Sequence, residues 1–180
     1  MADYKGIKGF NVQSLATDPL ATGVAGATWS SGGALNTARA DPGGTGIQTA
    51  ALATGGEQGP PTPLTAVTEI YNGSAWTEVG DLNTARYGLA ADGTTTASVA
   101  FGGATSPPTN VNNTELWNGS AWTEVNNLNT ARRLLNGAGV STSALGFGGY
   151  DGGVTNVSET WNGTSWTEGN NLNTARYGPG

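Results

Sequence analysis

The stretch Val67–Arg86, VTEIYNGSAWTEVGDLNTAR, decides how this chain folds. Two short apolar runs, VTEIY and AWTEV, flank Asn72-Gly73. Asn-Gly between such runs is the strongest short hairpin signal, because both central residues of a type I′ turn need positive φ. The spacing predicts two antiparallel strands, then a connector ending in arginine. The same pattern returns as NTELWNGSAWTEVNNLNTAR at 113–132 and VSETWNGTSWTEGNNLNTAR at 157–176. A partial copy, GATWSSGG followed by ALNTAR, surrounds Trp29 and ends at Arg39.

Aligned on the tryptophan before each connector, Trp29, Trp76, Trp122 and Trp166 stand 47, 46 and 44 residues apart. Periods of this length mark propellers and solenoid arrays, in which each repeat is one supersecondary unit. The whole units run from about 39–82, 86–128 and 132–172. Each holds four candidate strands. The first follows the arginine. The second is TAALATGG, TASVAFGG or TSALGFGG, and the last two form the hairpin quoted above. No segment keeps a helical period over ten residues, so the reading is all-β. Four antiparallel strands in about 45 residues make a propeller blade.

Three marks recur together. Gly55-Gly56, Gly102-Gly103 and Gly148-Gly149 end the second strand. Tyr71, Trp117 and Trp161 end the third, and Trp76, Trp122 and Trp166 follow five residues later. This combination resembles the kelch repeat, from about Gly23 to Arg176. The resemblance implies a kelch-type β-propeller, whole or partial, over 21–180. Three complete units and an orphan outer strand at Trp29 fall short of the 4–8 blades of a closed ring. The expectation is therefore a larger assembly, through further repeats or further copies.

The leader, 1–20, has a different texture. MADYKGIKGFNVQSLATDP holds both lysines and none of the repeat marks. Tyr4, Lys5, Lys8 and Phe10 make it aromatic and basic on a chain of net charge −6, which suits an extended anchoring arm against another subunit. This leader, with the Thr/Asn/Gly-rich units, resembles kelch-like structural proteins of marine tailed bacteriophages. That resemblance implies a non-enzymatic virion component, such as a tail fibre, appendage or surface protein, with other virion proteins or further copies as partners. The alternative is a carbohydrate-binding, lectin-like propeller outside a virion.

Composition excludes several chemistries. Acidic residues outnumber basic ones 13 to 7, against any nucleic-acid role that rests on a basic patch. No run approaches the length of a membrane span, so no membrane insertion is expected. Without His or Cys there is no Ser–His arrangement, no disulfide and no usual zinc or copper site, and no cofactor is implied. The acids that might pair for glycoside hydrolysis recur in every unit, whereas an active site is normally unique. DPGGTG at 41–46 lacks the Lys-Ser/Thr of a phosphate loop. Asp151 is one carboxylate, too few for calcium, and a glycine turn explains it.

The repeated residues read as framework. Arg39, Arg86, Arg132 and Arg176 are expected to pair with repeated carboxylates: Glu69 or Glu78, Glu115 or Glu124, Glu159 or Glu168. The kelch likeness favours the third-strand set, with Glu69 and Glu115 the first candidates for Arg86 and Arg132. The alternative is a ring of arginines open to an anionic ligand. The loops between second and third strands differ each time. Pro60, Pro61, Pro107, Pro108, Tyr150 and Asp151 are thus the candidate binding residues, for a host surface glycan or protein.

Overall fold

The computed structural model describes residues 31–59, 63–106 and 109–178. The chain divides into two units, Met1–Gly32 and Gly33–Gly180, and the fold below is that of the second. The arm residues Tyr4, Lys5, Lys8 and Phe10, the orphan Trp29, and Pro60, Pro61, Pro107 and Pro108 lie outside the described residues.

Every element among the described residues is a β-strand. The first sheet holds β1 (Gly43–Ile47), β2 (Ala50–Thr54), β3 (Thr68–Tyr71) and β4 (Trp76–Glu78), in that order. Next come β5 (Ala90–Gly93) and β6 (Ser98–Phe101), then a small ribbon of β7 (Ala104–Ser106) and β8 (Thr109–Asn110). β9 (Thr114–Trp117) and β10 (Trp122–Glu124) complete a second sheet of order β5-β6-β9-β10. The third sheet is β11 (Asn136–Val140), β12 (Ser143–Phe147), β13 (Ser158–Trp161) and β14 (Trp166–Glu168). All neighbouring strands are antiparallel. Three four-stranded, blade-like sheets are consistent with a β-propeller-like architecture; no closed ring is present among the described residues.

The hairpins form where the Asn-Gly pairs predict them, but with a different turn. Tyr71 faces Trp76, Trp117 faces Trp122 and Trp161 faces Trp166, leaving four residues between the partners. Only the glycines have positive φ, at 95°, 95° and 91° for Gly73, Gly119 and Gly163. The type I′ expectation fails because the asparagine acts through its side chain. Asn72 Oδ1 accepts from the backbone N–H of Ser74 and Ala75, each at 3.0 Å. Asn118 and Asn162 do the same in their own turns. An asparagine that caps its own turn needs no left-handed backbone.

Two apolar cores lie between successive sheets. Leu52 and Leu82 of the first repeat meet Leu89, Ala100, Trp117 and Trp122 of the second. Val99, Phe101 and Leu128 then meet Leu135, Ala144, Trp161 and Trp166 of the third. The middle sheet is therefore covered on both faces, and β6 is buried along its whole length. This explains why Ser98–Phe101 reads as a continuous run rather than as alternation. Trp122 and Trp166 are 5% and 6% exposed, and each donates its indole N–H to the preceding sheet, to Thr68 Oγ1 and Thr114 Oγ1 at 3.0 Å. Trp76 differs from the other two: it is half-buried, with its N–H on Gly33 O at 3.0 Å. No described sheet covers it.

A chain of backbone hydrogen bonds joins the sheets just before their first strands, β1, β5 and β11. Gly88 N donates to Asp41 O, Leu134 N to Gly88 O, and Gly178 N to Leu134 O. All four residues have left-handed backbone, with φ of 49°, 60°, 53° and 82° for Asp41, Gly88, Leu134 and Gly178. A leucine there is uncommon, since Cβ crowds the carbonyl. Its persistence shows that the inter-sheet bonds fix the conformation whatever the residue.

Candidate functional site: buried clamps and a variable corner

The repeated connector builds a clamp. Its leucine is tied to the sheet it leaves, with Leu82 N on Ala66 O and Leu128 N on Asn112 O, both at 3.0 Å. Its arginine carbonyl accepts from the second glycine of the Gly-Gly pair in that sheet, Gly56 for Arg86 and Gly103 for Arg132. The residues between are thereby aimed at the next sheet, where one glutamate waits in each third strand.

Glu69 shows the arrangement. Its Oε2 accepts from Asn36 N at 2.7 Å, and its Oε1 from Thr37 N at 3.2 Å and Arg39 Nη2 at 2.9 Å. Glu115 accepts from Asn83 N at 2.8 Å and Asn83 Nδ2 at 2.7 Å, and pairs with Arg86. Glu159 accepts from Asn129 N at 2.7 Å, Asn129 Nδ2 at 2.8 Å and Thr130 N at 3.2 Å, with Arg132 Nη2 at 3.3 Å. Each asparagine also bonds the carbonyl of the outer tryptophan, Trp76, Trp122 or Trp166. Arginine suits this place because its fork serves two acceptors: Arg39 also reaches Val67 O at 2.8 Å. Burial lowers the pKa of Arg39, Arg86 and Arg132, and the facing glutamate opposes that shift.

The glutamates that meet arginine are those of the third strands, and the register moves one unit forward from the expected pairs. Arg86 holds Glu115, but Glu69 belongs to Arg39, and Arg132 holds Glu159. The connector is fixed to the sheet it leaves, so it can only reach the sheet that follows. An anion-binding arginine ring does not fit three of its four members. The side chains of Arg39, Arg86 and Arg132 are buried against glutamate, whereas Arg176 is exposed.

The variable loops stand beside these clamps. Of the candidate binding residues, Tyr150 and Asp151 are among those described. Asp151 is exposed and closes a small turn, accepting from Gly153 N at 3.2 Å. Tyr150 is half-buried and sits in a corner that breaks the repeat. Arg133 lies over its ring, 4.6 Å from the centroid, and donates to Asn110 Oδ1 at 2.7 Å. Asn110 Nδ2 donates to Tyr150 O at 2.9 Å. Tyr177, 55% exposed, meets Tyr150 edge-on at 6.3 Å. Ala40 and Tyr87 occupy the register of Arg133, and Glu57 and Ala104 that of Tyr150. The sequence carried a signal for this corner: the arginine is constant, but alone among the four copies Arg132 is followed by a second arginine, Arg133, where the others have Ala40, Tyr87 and Tyr177.

A third feature lies at the first strands of the sheets, β1, β5 and β11. A space of about 240 Å³ is lined by Gly44, Ala91, Asp92, Asn136 and Gly137, among others. Asp92 Oδ2 is buried with no hydrogen-bond partner among the described residues, and desolvation raises the carboxyl pKa to about 6. No group of three or more His, Cys, Asp or Glu able to hold a metal occurs among the described residues. No family model matches this chain, and no curated protein matches it.

Proposed function

We propose that this chain is a non-enzymatic, kelch-type scaffold that works inside a larger protein assembly and presents its variable loops outward. The observation that carries the reading is the contrast between clamp and corner. Three clamps repeat the same arginine–glutamate pair and the same asparagine N–H to carboxylate bond, while the loop register beside them holds Glu57, Ala104 and Tyr150 in turn. A rigid framework with one changing surface is how recognition proteins are built. The assembly that fits best is a bacteriophage virion, the context implied by the likeness of leader and repeats to phage structural proteins. In that setting Tyr4, Lys5, Lys8 and Phe10 anchor the chain to a neighbouring subunit, and the loops meet a host surface.

The test is quantitative proteomics on purified particles from a producing culture. The chain is expected at a fixed copy number relative to the major structural proteins. Its absence from particles would exclude the virion role. The second reading, a lectin-like module, is favoured by the Arg133–Tyr150–Tyr177 corner, since an exposed tyrosine beside fixed polar groups suits stacking on a sugar. A glycan screen separates the two: saturable binding lost in Tyr177→Ala, with no particle association, selects the lectin.

A further inference from the structure

The connector Leu-Asn-Thr-Ala-Arg occurs four times, and three copies hold a glutamate. The fourth, Leu172–Arg176, has the same five residues and the same backbone anchors. Leu172 N donates to Asn156 O at 2.8 Å, as Leu82 and Leu128 do to their own sheets. Arg176 O accepts from Gly149 N at 2.9 Å, as Arg86 and Arg132 accept from Gly56 and Gly103. Asn156 Nδ2 donates to Leu172 O at 3.0 Å, repeating the bond from Asn112 to Leu128. The platform is therefore built. The groups that grip the carboxylate elsewhere are exposed here: Asn173, Thr174 and Arg176. The only acceptor Arg176 reaches among the described residues is Thr174 O, at 3.4 Å. Leu172 is half-buried, whereas Leu82 and Leu128 are 4% and 1% exposed beneath the sheets they serve.

We propose that Asn173–Arg176 is a preformed carboxylate-binding site whose ligand is a glutamate on a β-hairpin of a partner blade. The three filled clamps define the chemistry. The carboxylate takes two kinds of donor at once: backbone N–H groups at the asparagine and threonine, and a guanidinium. In all three, the glutamate stands two residues before an aromatic, and that aromatic faces a tryptophan across the hairpin. The partner therefore carries Glu-x-aromatic on one strand and tryptophan on the next. It brings its own unpaired glutamate. A second copy of this region has none to give, because Glu69, Glu115 and Glu159 are buried and already held. A positively charged site on a chain of net charge −6 also selects an acidic strand by local, short-range contact rather than by long-range attraction.

The probe is a peptide of residues 154–170, VTNVSETWNGTSWTEGN, closed head to tail so that its hairpin does not depend on docking. In the free peptide the glutamate at 159 is unpaired. Titrated with the full 180-residue chain, it is expected to bind saturably and to weaken as salt rises. Glu159→Gln in the peptide, or Arg176→Ala in the chain, is expected to weaken binding by about tenfold or more, the effect of losing a modest charge-assisted contact. Glu168→Gln in the peptide leaves it unchanged. At saturation the Arg176 side-chain N–H resonance is expected to move downfield with the parent peptide and less with the Glu159→Gln peptide, so that the difference between the two reports the carboxylate contact. Arg176 is exposed, so its replacement leaves the fold intact. Three results overturn the proposal: equal binding of the Glu159→Gln peptide, no binding by a cyclic hairpin whose coupled-tryptophan circular dichroism shows it folded, or self-association of the chain that Arg176→Ala abolishes. The last would mean that a second copy fills the site.

Discussion

At the scale of single residues, two carboxyl groups behave in opposite ways because of what faces them. Glu115 accepts from Asn83 and pairs with Arg86 at 0–1% side-chain exposure. Removing its charge strands a buried guanidinium whose Nε already lacks a partner. Glu115→Gln is expected to cost roughly 3–5 kcal/mol in urea unfolding, against less than about 0.5 kcal/mol for the exposed Glu78→Gln. Asp92 has no such partner. Its carboxyl is raised from 3.8 to about 6 by desolvation alone, with no charged neighbour contributing. The fold favours the protonated acid, so this contribution to stability is present below about pH 4 and is lost as pH rises through about 6. Asp92→Asn is therefore expected to stabilise the chain at pH 8 by about 1–3 kcal/mol and to have little effect at pH 4. Denaturation at the two pH values checks the sign: a larger gain at pH 4 would refute the desolvation account.

At the scale of strands and hairpins, the burial of each outer tryptophan depends on the sheet before it. Trp122 lies between the first two sheets and donates to Thr68, while Trp76 has no described sheet on that side. Trp122→Ala is expected to cost about 3–5 kcal/mol and Trp76→Ala clearly less, by thermal or urea unfolding. Equal costs would mean that the tryptophans stabilise their own hairpins rather than the contact between sheets. Much of this element structure was legible in the sequence. The Gly-Gly pairs, the aromatic five residues before each tryptophan, and the Asn-Gly turns located twelve principal strands, because hairpins are local and their signals lie within a few residues. The turn type was not legible, since it depends on Asn72, Asn118 and Asn162 spending their side chains on their own turns. The β7–β8 ribbon also escaped, for it has no turn signal beyond Pro107-Pro108. Nor was the direction of the clamp. Each connector lies between two third-strand glutamates, and only the anchoring of Leu82 and Arg86 to the earlier sheet decides that the later one is reached. Arg133 and Asp92 were missed because the fold assembles their surroundings: Asn110 reaches Arg133 from the preceding repeat, and Asp92 is left without a partner beside Gly137 of the next sheet.

At the scale of the whole array, the apolar packing between sheets falls on two joints. One joins Leu52 and Leu82 to Trp117 and Trp122; the other joins Phe101 and Leu128 to Trp161 and Trp166. Each joint is crossed by one clamp, one tryptophan-to-threonine bond and one left-handed backbone link. Stability in such an array is close to a sum of unit terms and nearest-neighbour terms, so damage at one joint need not spread past the next sheet. The second joint has the looser clamp: Arg132 lies 3.3 Å from Glu159, and both its Nε and Nη1 are buried without partners. Glu159→Gln is therefore expected to release the third sheet before the others. Hydrogen exchange should show protection in Ser143–Phe147 and Ser158–Trp161 dropping by about tenfold or more, while Ser98–Phe101, which keeps its contact with the first sheet, falls much less. Glu69→Gln should leave the third sheet's protection unchanged. A uniform loss across all three sheets in either variant would show one cooperative unit instead, and would place the dominant coupling in the first strands of the sheets, where Thr45 bonds Gly93 and the left-handed residues link every sheet to the next.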